Sequence, residues 1–116
     1  MKSKHHNFVA DLAWQIKAAK LPRPDLEVKF HSTRRWRFDL AWIVVDGQTV
    51  KIALEVEGAV WSQGRHTRGS GFVKDMEKYN NASLLGWTVY RVSTHQVTSG
   101  EALKLIERIF KSKPCG

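Results

Sequence analysis

The 116-residue sequence predicts an α/β domain with elements in the order αβββαβα, in which helices flank a central mixed sheet. Three observations support this fold class. Apolar residues recur at helical spacing in 7–19, 72–85 and 101–110. Asp46-Gly47 separates two runs rich in β-branched and aromatic residues, which indicates a hairpin. A strand, a helix and a strand then follow in succession, which predicts a crossover with parallel pairing.

The first half of the chain predicts one helix and three extended segments. The helix covers 7–19 and ends before LPRP, because proline cannot continue it. A short extended piece spans 27–30, and FDLAWIVV at 38–45 is a strand that follows an arginine-containing loop. The strand at 50–56 alternates apolar and polar residues, so Glu55 and the adjacent Glu57 point to the same face.

The second half begins with a glycine-containing basic loop. Residues 58–71 hold four glycines and two serines together with Arg65, His66 and Arg68. A second helix follows at 72–85 and ends at Gly86 as a C-cap. Its inner stripe is predicted to comprise Phe72, Met76, Tyr79 and Ser83. WTVYRV at 87–92 is a strand, and 101–110 forms the last amphipathic helix. The tryptophans expected in the core are Trp36, Trp42 and Trp87, whereas Trp61 lies at the loop mouth.

Composition limits the setting and the partners. The chain carries 19 Lys and Arg against 11 Asp and Glu, a net charge of +8 that favours DNA or RNA first and acidic membrane surfaces second. We expect one domain over 1–116. The single cysteine, Cys115, allows neither an internal disulfide nor a Cys-based zinc site, which fits the cytoplasm. No apolar run reaches the roughly 18 residues of a membrane span, so no membrane partner is expected.

The carboxylates at 55 and 57 indicate a cation site. Two carboxylates about 4 Å apart repel by about 4 kcal/mol at an effective dielectric of about 20, so a site that gathers them together with Asp39 should hold a cation or share a proton. Oxygen ligands suit Mg²⁺ or Mn²⁺. The alternative is that Glu55 and Glu57 face solvent on an edge strand, with Lys51 helping to balance their charge.

The segments RFDLAW, ALEVEG and GRHTRGSGFVKDMEKYNNASLLGWTVYRV resemble the PD-(D/E)XK nuclease superfamily over roughly residues 6–95. The likeness is greatest to small standalone endonucleases of phage type, and more distant to very-short-patch-repair nucleases and Holliday junction resolvases. The resemblance implies a restriction-endonuclease-like core and a Mg²⁺-dependent phosphodiesterase, with Mn²⁺ as a substitute. Asp39 and Glu55 would hold the metal ion, and Glu57 would tune or join its ligand shell.

The sequence departs from the superfamily at two positions. Glu57 stands where Glu-x-Lys requires its lysine, and related nucleases can supply that lysine from the next helix, where Lys74 and Lys78 are available. We expect Lys78 to activate the water; the alternative is an exposed lysine paired with Asp75. The first helix also lacks the glutamate with which many members complete the metal shell, and the chain has His5 and His6 there instead.

Arginines flank the acidic strands in sequence and are expected to contact phosphates. These DNA-binding residues are Arg34, Arg35, Arg37, Arg65 and Arg68. The alternative is that they are scattered charges on a basic surface. His66 could bind a phosphate oxygen or protonate the leaving group, or it could be a solvated loop residue.

The leading functional prediction is a metal-dependent endodeoxyribonuclease that recognises branched or duplex DNA by its shape, in the manner of a Holliday junction resolvase. Cutting matched strands would require two sites, so we expect a homodimer. One alternative is a nucleic-acid-binding protein that has lost catalysis, because the Glu-x-Lys lysine is missing. Another is a mismatch-nicking repair endonuclease.

The hairpin supplies a geometric test of the metal site. A regular two-residue turn at Asp46-Gly47 pairs Val45 with Gln48 and places Asp39 on the face opposite to Glu55. A common metal site therefore requires an odd-length turn or a one-residue bulge between Asp39 and Glu55.

Overall fold

The computed structural model describes residues 4–58 and 70–111. It contains four strands and four helices: α1 (Lys4–Ala18), β1 (Asp25–Lys29), β2 (Arg37–Val45), β3 (Gln48–Glu57), α2 (Ser70–Leu84), β4 (Thr88–Ser93), α3 (Thr94–Ser99) and α4 (Glu101–Lys111). The protein is thus an α/β domain in this region, as expected. The first helix begins three residues earlier than the sequence pattern predicts, which brings His5 and His6 onto α1.

The four strands form one mixed sheet in the order β1-β2-β3-β4. β1 pairs antiparallel with β2, and β2 pairs antiparallel with β3. β3 and β4 pair in parallel through the crossover that contains α2, as the succession of elements predicts. β3 is therefore a central strand, which rules out the alternative of an edge strand with solvent-facing glutamates.

The larger core lies between one face of the sheet and helices α1, α3 and α4. It is formed by apolar side chains from all three helices and from β2, β3 and β4: Val9, Leu12, Ile16, Leu21, Leu40, Trp42, Leu54, Val56, Val92, Val97, Ala102 and Ile106. Burial of a leucine or isoleucine side chain contributes about 1.5–3 kcal/mol. This face therefore provides most of the apolar stabilisation in the described part of the chain.

The other face of the sheet carries a smaller, aromatic core. Phe38 stacks on Phe30 with ring centroids 4.1 Å apart, and Trp87 contacts Phe38 at 4.9 Å. Ala82 of α2 packs against this cluster. α2 ends at Leu84, and Gly86 follows as the predicted C-cap, because its φ of +90° permits the amide of Trp87 to donate to the Ala82 carbonyl.

Two expectations about buried residues are wrong. On α2, Met76 and Ser83 were expected on the inner stripe but are exposed, because the helix turns Lys78 and Ala82 toward the sheet beside Tyr79, which was predicted there. The prediction for the Phe72 side chain lies outside what the structure describes. Trp36 lies before β2 and is only half-buried, whereas Trp42 and Trp87 are buried as predicted.

The short helix α3 was not predicted. Ser93 caps it: its hydroxyl accepts from the amide of Gln96, and the Gln96 side chain accepts from the amide of Ser93. Gly100 ends the helix with φ of +89°. This S-x-x-Q capping box followed by glycine is a recognisable sequence signal, so the helix could have been found.

Within residues 4–58 and 70–111, no helix is long and apolar enough to cross a membrane.

Candidate active site

The β2–β3 hairpin contains the bulge that a shared site requires. Val45 pairs with Gln48, so the turn at Asp46-Gly47 has two residues, but pairing shifts between Trp42–Ile52 and Val44–Thr49. Two residues of β3 there oppose one residue of β2, and Lys51 adopts a φ of +47°. The prediction of a bulge is confirmed. Below it, Leu40 pairs with Leu54, which places Asp39 on the same face as Glu55.

The side chain of Lys51, at the bulge, contacts the end of α2. Its ammonium group donates to the carbonyl oxygen of Leu85, at the end of α2, at 3.0 Å. A cation at a helix C-terminus satisfies an orphan carbonyl and opposes the helix dipole. Lys51 therefore contacts the helix end, and the expectation that it balances the glutamates of β3 is wrong.

The carboxylates of Asp39 and Glu55 each bind the backbone of the opposite strand. The amide of Asp39 donates to Oε2 of Glu55 at 3.0 Å, and the amide of Val56 donates to Oδ2 of Asp39 at 2.8 Å. At this end of the β2–β3 pair, hydrogen bonds from backbone amides to side-chain carboxylates replace the backbone-to-backbone hydrogen bonds of the ladder. Both carboxylates are fixed in position at the point where the two strands cease to pair with each other.

Glu55 is the buried charge of the site, with 6% of its surface exposed. Its Oε1 accepts from the Lys78 ammonium group at 2.5 Å and from the Tyr79 hydroxyl at 3.0 Å. Both donors come from α2. Burial, and then the charge and hydrogen bond of Glu55, raise the pKa of Tyr79 well above its ordinary value, so this hydroxyl remains a donor.

Glu57 has a different partner. Its Oε2 accepts from Nε of Arg91 on β4, and this contact raises the pKa of the guanidinium further. Arg91 lies over the Tyr79 ring, 4.8 Å from its centroid. In the described ranges, no group of three or more His, Cys, Asp or Glu side chains is arranged to hold a metal ion.

The two histidines of α1 face different acids. His5 Nε2 lies 3.2 Å from Oδ2 of Asp39 and 3.1 Å from the carbonyl oxygen of Val56. Since both neighbours are acceptors, Nε2 must carry the hydrogen. His6 lies 3.2 Å from Glu27 on β1. Of the two, His5 belongs to the site.

These residues border one open cleft of about 740 Å³. Among the described residues, four carboxylates and three cations line it: Asp39, Glu55, Glu57, Asp75, Arg37, Lys78 and Arg91. This described lining is therefore slightly acidic in a chain of net charge +8. A locally acidic centre in a basic protein is suited to a cation that in turn binds an anion.

The predicted DNA-binding arginines occupy several places. Arg37 lines the cleft and pairs with Glu27 at 3.4 Å. Arg34 lies over the Trp36 ring at 4.1 Å and pairs with Glu77 at 3.7 Å, while Arg35 is exposed. Neither of these two lines the cleft. The predictions for Arg65, His66 and Arg68, and for Trp61, lie outside the described residues.

Three residues of the cleft were not assigned a role from the sequence: His5, Tyr79 and Arg91. The sequence pattern placed Tyr79 in the core, and it placed Arg91 in the strand at 87–92 without a role in the site. The parallel pairing of β3 and β4 could have signalled Arg91, because its Cα pairs with that of Glu55 and paired residues share a face.

Asp39 and Glu55 are the carboxylates that could hold a hard divalent cation. Oδ1 of Asp39 has no hydrogen bond within the described residues, and His5 Nε2 lies near both Oδ2 of Asp39 and the carbonyl oxygen of Val56. Mg²⁺ commonly binds proteins through one or two carboxylates and completes its shell with water and phosphate oxygens. Asp39 and Glu55, with the Val56 carbonyl, offer such a set.

The chain matches no protein-family model, and neither a curated protein nor a solved structure is significantly similar to it. The site's geometry alone therefore supports the functional proposal.

Proposed function

We propose that this protein is a metal-dependent endodeoxyribonuclease with a restriction-endonuclease-like core of the PD-(D/E)XK type. The observation that carries the proposal is the convergence of three residues from three elements: Asp39 on β2, Glu55 on β3 and Lys78 on α2. The bulge in β3 makes this convergence possible. If the bulge only shaped the β2–β3 turn, it would not need to place the carboxylates of Asp39 and Glu55 on the same face of the sheet.

In this proposal, Asp39 and Glu55 hold Mg²⁺, for which Mn²⁺ can substitute. A bound divalent ion lowers the pKa of its water and stabilises the charge that develops on a phosphoryl oxygen. Backbone amides orient the two carboxylates, and binding of the ion to Glu55 would displace the Lys78 ammonium group from Oε1.

Lys78 takes the place of the lysine that Glu-x-Lys would provide. Its side chain is 16% exposed and its ammonium group touches Glu55, whereas Lys74, the other lysine of α2 in the prediction, is exposed and does not line the cleft. The alternative of an exposed lysine paired with Asp75 does not fit this burial. In the proposed reaction, Lys78 orients the attacking water and hydrogen-bonds to it.

The proposed substrate is DNA, recognised through its shape and phosphates. The net charge of +8 attracts polyanions, and phosphate contacts position a duplex without reading its sequence. A branched substrate such as a Holliday junction is our first choice, cut by a homodimer that places one site on each strand. A mismatch-nicking activity on the same core is the competing enzymatic choice.

One observation favours a second function, a nucleic-acid-binding protein without catalysis. Glu55 is paired with Lys78 and Glu57 with Arg91, so two of the three acidic side chains already have cationic partners. A site filled in this way could be a remnant of a nuclease that now only binds DNA.

A plasmid nicking assay separates the two functions. We expect supercoiled DNA to be nicked with Mg²⁺ or Mn²⁺ and not with EDTA. Asp39→Asn and Glu55→Gln should abolish nicking, and Lys78→Met should slow it by about 10²-fold. Lys74→Ala is the matched control on the same helix and should cut normally. DNA binding without metal-dependent nicking would instead establish the second function.

A panel of labelled DNAs then identifies the substrate. A four-way junction, a thymine mismatch and a linear duplex of the same arm sequence should be compared under single-turnover conditions. Preferential cutting of the junction supports the resolvase-like choice, and preferential cutting of the mismatch supports the repair nuclease.

A further inference from the structure

The pair formed by Glu57 and Arg91 occupies the position where the resemblance leads one to expect a lysine. Glu57 lies two residues beyond Glu55 on β3 and binds Nε of Arg91 on the neighbouring strand β4. The Glu57 carboxylate on β3 thus holds the Arg91 guanidinium of β4 near the position where a lysine is expected.

We propose that Arg91 is a phosphate-binding residue of the cleft, and that Glu57 is a positioning residue for Arg91 and not a metal ligand. This inference rests on the proposed function, because the phosphate is that of a nucleic-acid backbone. It assigns to Glu57 a different task from the one that the resemblance implies.

The sheet sets the direction of Arg91. Its Cα pairs with that of Glu55 in the parallel β3–β4 ladder, so both side chains project toward α2. The guanidinium then lies 4.8 Å from the centre of the Tyr79 ring, and the Tyr79 hydroxyl binds Glu55 at 3.0 Å. Arg91 is thereby held beside the acidic centre by stacking on one side and by a carboxylate on the other.

The chemistry of the guanidinium suits a phosphate. Glu57 engages Nε, which leaves the terminal NH₂ groups beside the face of Tyr79 and within the electrostatic influence of Asp75. The Arg91 side chain is 52% exposed, while that of Glu57 is 25% exposed. Arginine presents planar paired donors that match phosphate oxygens, and a stacked, tethered guanidinium loses less entropy when it binds.

The surroundings of Glu57 argue against a ligand role. Its carboxylate is neutralised by Arg91 of the neighbouring strand β4. Asp39 and Glu55, by contrast, bind backbone amides across the β2–β3 pair. Of these three carboxylates, we therefore assign Asp39 and Glu55 to the ion and Glu57 to the arginine.

Calorimetric titration with Mn²⁺ tests the role of Glu57 without measuring cleavage. We expect Glu57→Gln to bind Mn²⁺ as the unaltered chain does, and Asp39→Asn to weaken binding by at least about tenfold. An equal loss in both variants would make Glu57 a ligand and overturn the inference. If the unaltered chain binds no Mn²⁺, the proposed nuclease function fails, whereas the role of Arg91 is decided by the next measurement.

Fluorescence anisotropy with a labelled DNA duplex in EDTA tests Arg91. Arg91→Ala should weaken binding by about tenfold and lower the slope of log K against log salt by about 0.9. Arg91→Lys, which keeps the charge, should recover part of the affinity. Arg23→Ala removes an equal charge away from the cleft and is the matched control.

A double-mutant cycle links the two residues. Glu57→Gln should weaken DNA binding less than Arg91→Ala, and the double variant should behave like Arg91→Ala alone. Equal DNA binding by Arg91→Ala and Arg23→Ala would overturn the phosphate assignment. Additive losses in the cycle would overturn the positioning role of Glu57.

Discussion

The two faces of the sheet differ in the side chains that they bury. The face toward α1, α3 and α4 buries apolar side chains only, while the face toward α2 combines a small aromatic cluster with the buried Glu55 and its donors Lys78 and Tyr79. On α2 itself, Val73 and Met76 are exposed while Lys78 is largely covered. The helix has therefore turned polar residues inward at the expense of apolar burial.

Most of the apolar burial thus lies on one face of the sheet, and the buried charge lies on the other. Apolar burial is the dominant favourable contribution to folding, whereas a buried ion pair contributes little net stability after its desolvation cost. A helix selected for stability alone would bury Val73 and Met76 in place of Lys78. The orientation of α2 is thus best understood as serving the cleft.

The largest effect on stability is expected from truncation on the apolar face. Leu12→Ala removes a fully buried side chain of α1 and should lower the free energy of unfolding by about 2–5 kcal/mol. Leu84→Ala makes the same chemical change at an exposed position of α2 and should cost less than about 0.5 kcal/mol. Urea unfolding measures both. Equal costs would show that the two faces do not differ as described.

A smaller effect is expected from breaking the ion pair on the α2 face. Lys78→Met leaves the Glu55 carboxylate without its cation and should cost about 2–3 kcal/mol, below the range for fully buried pairs because Lys78 keeps some exposure. The double variant Glu55→Gln with Lys78→Met should be more stable than Lys78→Met alone. If the costs of the single changes simply add, the pair is not a coupled unit.

The smallest effect is expected at high pH. The folded state raises the pKa of Tyr79, while in the unfolded chain it is about 10. Above pH 10 the unfolded chain loses this proton and the folded protein keeps it, so the unfolded state binds fewer protons and stability falls as pH rises. The contribution is fully present below pH 10.

The variant for this prediction is Tyr79→Phe. Its stability should decline less between pH 9 and pH 11 than that of the unaltered chain. Parallel declines for the two proteins would show that the raised pKa of Tyr79 does not contribute to stability at high pH.

Local patterns in the sequence identified most of the elements and the acidic centre. The turn at Asp46-Gly47, the C-cap at Gly86 and the alternation that pairs Glu55 with Glu57 all depend on neighbours a few residues away. The bulge was deduced from a requirement of the site and not from its own residues. The left-handed conformation of Lys51 could not be predicted from the local sequence, because glycine is the residue that usually adopts it.

Tertiary packing decided the rest. The rotation of α2 that covers Lys78 and exposes Met76 follows from the ion pair with Glu55, 23 residues away in the chain. Likewise His5 reaches Asp39, and Arg91 reaches Glu57, only because the sheet brings their elements together. The sequence by itself determined which segments are helices and strands and which carboxylates are available, since these depend on local periodicity. The tertiary structure decided which cation meets which carboxylate, because such contacts depend on strand register and helix rotation, which no short stretch of sequence encodes.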